Sequence, residues 1–68
     1  MKRIIEVADE IQVDDRIEWI DLSEVKVVDA ITETDLNGYK HIRLFVEFDN
    51  GEREDDTFDF HDYITKLV

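Results

Sequence analysis

The sequence predicts a mainly β domain, and three observations carry that expectation. Lys40 to Asp49 alternates strictly, with Ile42, Leu44, Val46 and Phe48 on one side and His41, Arg43, Phe45 and Glu47 on the other. Glu24 to Thr32 is rich in β-branched residues. Turn signals, Asn37-Gly38 and Asp49-Asn50-Gly51, stand between the strand-like runs. At 68 residues the chain reads as one domain over 1–68. A domain of that size buries only about 60% of its unfolded surface. With no Cys in the chain, neither disulfides nor thiolate zinc can staple it. The core must come from Ile, Val, Leu, Phe and Trp.

Residues 1–11 fit two templates. Met1, Ile4, Ile5, Ala8 and Ile11 fall near helical spacing, while Arg3 to Val7 suits an edge strand, the reading preferred beside so many strands. Ile17 and Trp19 alternate with Arg16 and Glu18 in a half-buried strand, Arg16 to Ile20. Asp21 to Ser23 reads as a turn. In Glu24 to Thr32, Val25 and Val27 point one way and Val28 and Ala30 the other, a slip in phase that predicts a bulge. Thr34 to Tyr39 is a loop.

The next hairpin has two candidate registers. A two-residue Asn50-Gly51 loop pairs Arg43 with Phe58 and puts Phe58 and Phe60 on the polar face. A three-residue loop, with Gly51 left-handed, pairs Ile42 with Phe58 and joins the two apolar sets. The second is preferred, because a one-residue slip moves every side chain to the wrong face. It also sends the tip, with Glu52, Glu54 and Asp56, beyond the core into water. The end of the chain reads as a helical turn near His61 to Ile64 and a closing strand Thr65 to Val68. The expected core is Ile17, Trp19, Val25, Val27, Ile42, Leu44, Val46, Phe58, Phe60 and Ile64.

Ile11-Gln12-Val13-Asp14-Asp15-Arg16-Ile17-Glu18-Trp19 resembles the opening of SH3-like and Tudor-like small barrels, in which an apolar-x-Val-Gly-Asp-x-Val stretch starts the first strand; here Asp14 stands where Gly is usual. Val46 to Glu52 resembles a hairpin of the same class. The resemblance covers residues 11 to 67. It implies a five-stranded, partly open SH3-like barrel, to which residues 1–11 add a strand or short helix. Such barrels bind peptides, proteins or nucleic acid, and fold alone does not choose among these.

Charge narrows the choice. Nineteen Asp and Glu face eight Lys and Arg, a net charge of -11. Bare nucleic acid and anionic membrane are repelled by such a surface, whereas a basic protein surface is attracted. No apolar run approaches the ~20 residues of a membrane span, no signal-peptide core is present, and the cytoplasm is the expected compartment.

Asp49, Glu52, Glu54, Asp55 and Asp56, interrupted only by Arg53, form the densest acidic stretch and the candidate partner-binding surface, together with Glu47 and Phe45 on the adjoining strand. Two readings compete: a docking surface for Lys and Arg, which at phosphate-like spacing imitates DNA, or a solvated hairpin whose charge guards a sheet edge. Phe45, on the polar side of its strand, is either covered by the N-terminal segment or, with Tyr39, an exposed aromatic anchor. Asp49-Asn50-Gly51-Glu52 and Asp59 to Asp62, with His61, offer cation ligands, but the calcium-loop spacing is absent and neither metal nor cofactor is expected. Ser23 is the only serine and has no nucleophile elbow around it, so no catalytic residue is assigned. The expected function is a non-enzymatic protein-binding module for a basic partner, with inhibition of a nucleic-acid-binding protein by DNA mimicry as its narrower form. The alternative is a structural or regulatory subunit that oligomerises through a free strand edge, its acidity serving solubility alone.

Overall fold

In the computed structural model, which describes residues 2–68, six strands form one antiparallel sheet: β1 (Arg3–Val7), β2 (Arg16–Glu18), β3 (Glu24–Thr34), β4 (Lys40–Glu47), β5 (Arg53–Asp59) and β6 (Tyr63–Leu67). The spatial order is β1-β6-β2-β3-β4-β5. β2 to β5 make a meander, and β6 returns to lie between β1 and β2. β1 and β5 are the sheet edges and do not pair with each other, so the sheet is not closed into a barrel.

The N-terminal segment takes the strand of its two templates, followed by a single turn. Arg3–Val7 is a strand, and Ala8–Glu10 is a single 3-10 turn. Met1, part of the helical spacing noted above, lies outside the described residues. The 3-10 turn docks on the β5–β6 connection, where Ala8 N donates to Asp62 O at 2.8 Å and Asp9 N to Phe60 O at 3.2 Å. Ala8 is thereby fully buried.

The expected helical turn at His61 to Ile64 does not form. Asp62 N donates to Asp59 O in a tight turn, and β6 begins already at Tyr63. Pairing with β1 from Val7↔Tyr63 to Arg3↔Leu67 occupies the backbone groups a helical turn would have used internally. Elsewhere β2 ends at Glu18 rather than Ile20, and β3 runs on to Thr34.

The β4–β5 register is the three-residue form. Ile42 faces Phe58, Phe48 N donates to Glu52 O at 2.8 Å, and Gly51 has φ 88°. The bulge in β3 lies between Val27 and Asp29. It corrects the expected facing of Ala30: with Val28 as the extra residue, Ala30 pairs with Leu44 and returns to the core side. Asp14, in the position where the barrel motif carries Gly, has φ 76°. Asp is among the few side chains that tolerate this region, and the Asp15 carboxylate accepts from Gln12 N at 2.9 Å to close the turn.

The core contains Ile17, Trp19, Val25, Val27, Ile42, Leu44, Val46 and Ile64, all as expected, with Ala8, Ile11 and Leu67 added. Phe58 on the edge strand β5 and Phe60 in the turn that follows pack against it from half-buried positions. No helix among the described residues is long and apolar enough to cross a membrane.

Candidate functional site

Three regions carry the chemistry. The first is the outer face of β3, β4 and β5. Residues directly opposite in an antiparallel pair project to one side, so the registers define rows across the three strands. These rows are Lys26–Glu47–Arg53, Asp29–Phe45–Asp55, Ile31–Arg43–Thr57 and Glu33–His41–Asp59. Opposite charges meet within and between them. Arg43 binds Glu33 through Nε at 3.2 Å and Asp55 through Nη1 at 2.7 Å. His41 Nε2 lies 2.9 Å from Glu33 Oε1, and Arg53 Nε donates to Glu47 Oε2 at 2.9 Å. Hydrogen bonds from His41 and Arg43 hold the Glu33 carboxyl below its ordinary 4.5, and Glu33 and then Asp55 hold the Arg43 guanidinium above its usual value.

This face disperses the expected acidic site. Glu47 and Asp55 are paired with arginines here, and Asp49, at the hairpin tip, lies 3.5 Å from Arg16. Glu54 and Asp56 oppose Val46 and Leu44, and therefore project to the other side of the sheet. Glu52 is exposed at the tip and forms no ion pair among the described residues. The seven residues singled out by sequence thus occupy two faces and a loop. Phe45 is half-buried between Asp29 and Asp55, not beneath the N-terminal segment: β1 pairs only with β6, on the far side of β2 and β3.

The second region lies on the core side. The Trp19 indole nitrogen donates to Glu54 Oε1 at 3.0 Å, so one oxygen of this exposed carboxylate is tied to a core residue. The Trp19 and Phe58 rings meet edge to face at 5.9 Å. Beside them, Ile20, Leu22 and Tyr63 stand 62%, 75% and 78% exposed. With Trp19, Phe58 and Ile64 they line a groove of about 240 Å³.

The third is a cleft of about 570 Å³ where the β3–β4 loop meets the β5–β6 turn. Asp35, Asp59 and Asp62 line it, with Tyr39, Lys40, His41, Phe60 and His61, so three carboxylates face one lysine there. None of these three aspartates forms an ion pair among the described residues. Asp35 and Asp62 are used locally, accepting backbone N–H groups from Asn37, Tyr39 and Asp59. On the neighbouring 3-10 turn, the hydrogen bond and charge of Glu6 raise the Glu10 carboxyl above its ordinary 4.5. Among the described residues no three His, Cys, Asp or Glu side chains converge as a metal site would require.

Sequence reasoning named Asp59 to Asp62 with His61 only as weak cation ligands, and singled out neither Asp35 nor the apolar groove. Asp35, Asp59 and Asp62 are scattered along the chain, and only the docking of two connections gathers them. Ile20-Asp21-Leu22 did carry a signal, since two large apolar residues are unusual in a tight turn. Comparison with protein-family models, curated proteins and solved structures finds no match to the chain.

Proposed function

We propose that the chain is a non-enzymatic protein-binding module with an SH3-like arrangement, engaging a basic partner through its surplus carboxylates. The order β6-β2-β3-β4-β5, in which the last strand returns beside the first of the meander, supports the SH3-like reading. One observation carries the function. Eight of the nineteen acidic side chains form an ion pair among the described residues, and eleven do not. The surplus therefore survives the internal pairing and faces solvent as a field that attracts cations.

The binding carboxylates on this reading are Glu52, Glu54 and Asp56 along β5 and Asp35, Asp59 and Asp62 at the cleft, rather than the paired Glu47, Asp49 and Asp55. DNA mimicry is the narrower form. Arg16, Arg43 and Arg53 interrupt the hairpin tip, so a mimic surface would run through the cleft end instead.

Affinity capture from a lysate at low and high salt tests the proposal, with Asp35, Asp59 and Asp62 changed together to Lys as the control. A basic protein retained by the parent at low salt, released at high salt and lost by the triple variant is the expected result. Capture that ignores both salt and the substitutions overturns it. Competition between the chain and duplex DNA for the captured protein decides mimicry.

A second reading has its own observation. Among the described residues nothing pairs with the outer edge of β1, and Ile5 on that strand is 64% exposed. An unpaired edge beside an apolar side chain is a template for a second copy. Sedimentation of the parent and of Ile5→Lys tests it: a dimer dissolved by the substitution supports oligomerisation through this edge.

A further inference from the structure

Three hairpin connections in this protein are built alike, and one breaks the rule the others keep. In each, three residues join two flanking residues whose backbones close the loop. Trp19 N donates to Ser23 O at 2.7 Å, Asp35 N to Tyr39 O at 2.9 Å and Phe48 N to Glu52 O at 2.8 Å. The third loop residue donates back to the first flank in every case: Leu22 to Trp19, Gly38 to Asp35 and Gly51 to Phe48. That residue takes positive φ throughout, 70° at Leu22, 82° at Gly38 and 88° at Gly51. Glycine serves twice, as the geometry asks. Leucine carries a steric penalty there, and at 75% exposure it recovers little of it by burial.

Backbone strain of this kind points toward function when nothing in the fold repays it. Leu22 stands with Ile20 and Tyr63 as exposed walls of the 240 Å³ groove, whose floor is Trp19, Phe58 and Ile64. An apolar cavity of about 150 Å³ holds one benzene ring, so the groove has room for one or two apolar side chains. Its rim is acidic. Asp21 sits between the two wall residues, Glu54 holds the Trp19 indole, and Asp56 precedes Phe58 on the same face of β5; none of the three is ion-paired among the described residues. Arg3 neutralises one corner through Glu18 and Glu24.

We infer that this groove receives a leucine or aromatic side chain of a partner segment whose flanking Lys or Arg residues meet Asp21, Glu54 and Asp56. The inference rests on the proposed engagement of a basic partner and adds the apolar anchor that gives such a contact specificity. Charge steers the encounter, and the apolar contact holds it.

Trp19 is the only tryptophan, so its emission reports on the groove. The probe is a synthetic tryptophan-free peptide with two adjacent leucines between lysine pairs; its control has serines for the leucines. The leucine peptide is expected to bind about tenfold more tightly than the serine peptide, one buried side chain being worth at least that factor, and to shift the Trp19 emission. Leu22→Gly is expected to lose that advantage while melting no lower than the parent, which separates binding from folding. Equal binding of both peptides overturns the groove and leaves the acidic-surface reading standing. Binding of neither at low salt overturns both. An undiminished leucine advantage in Leu22→Gly places the apolar contact elsewhere and overturns the groove. A dimer that Leu22→Gly dissolves makes a second copy the occupant and overturns the basic partner.

Discussion

The β4–β5 turn and the β2–β3 turn share one backbone and differ in what their sequences spend on it. At Asp49-Asn50-Gly51 every residue suits its place: Gly51 takes the left-handed position, and Asn50 Oδ1 accepts from Glu52 N at 2.9 Å. At Ile20-Asp21-Leu22 the middle residue does the same work, with Asp21 Oδ1 accepting from Ser23 N at 3.0 Å. The outer two instead present apolar side chains to water. The first turn is shaped by folding alone. The second keeps the same backbone with a leucine at positive φ and two exposed apolar side chains.

The hydrophobic core beneath both turns sets the upper limit for any effect. Leu44 is fully buried at the centre of β4. Leu44→Ala is expected to cost roughly 2–5 kcal/mol, a large share of the stability of a small domain; urea unfolding checks this, and an unchanged midpoint would show that the core is not where the sheet is held.

Making the turns alike sharpens the comparison. Gly51→Leu copies the β2–β3 solution into the β4–β5 turn and is expected to cost about 1–2 kcal/mol, the steric penalty of an L-residue at that φ. Nothing lies within 4 Å of a Cβ built on Gly51, so the penalty is one of backbone conformation and not of a clash. Glu54→Ala removes the acceptor of the Trp19 indole and is expected to cost about 1 kcal/mol, with a change in Trp19 emission; Glu54→Gln, which keeps an acceptor, should restore most of both. The reciprocal change, Leu22→Gly, is expected to raise stability by roughly 0.5–1 kcal/mol through relief of strain. A loss of stability there would mean that Leu22 is held by packing, and the contrast between the turns would disappear.

The smallest effect is a pH dependence with two signs. The Glu33 carboxyl is held below 4.5 in the fold by His41 and Arg43. Its contribution is therefore complete above 4.5 and is lost as pH falls through the lowered value. The Glu10 carboxyl is raised above 4.5 beside Glu6, so the cost of its charge is relieved as pH falls from that raised value toward 4.5. Unfolding curves between pH 7 and 3 should show a shallow rise and then a decline. Glu10→Gln should flatten the rise, and Glu33→Gln should blunt the decline.

What the sequence determined by itself was local. Alternation in Lys40–Glu47 specified which side chains enter the core, and matching that set to Phe58 was enough to choose a register and a loop length, because one slipped residue would have put Phe58 on the polar face beside Arg43. The phase slip at Val27-Val28 announced the bulge for the same reason. The net charge of -11 was legible by counting. Tertiary structure decided what depends on partners distant in the chain. β6 became a strand from Tyr63 because β1 was there to pair with it, and Ala8 entered the core because the β5–β6 turn received its N–H. The dense run from Glu47 to Asp56 ceased to be one surface for a simple geometric reason. Successive residues of a strand face opposite sides, so neighbours in sequence were parted, while Arg16 and Arg43 from other strands and Arg53 from within the run neutralise three of them. Charge is additive along a chain, but a charged surface is made only when the sheet decides which carboxylates share a side.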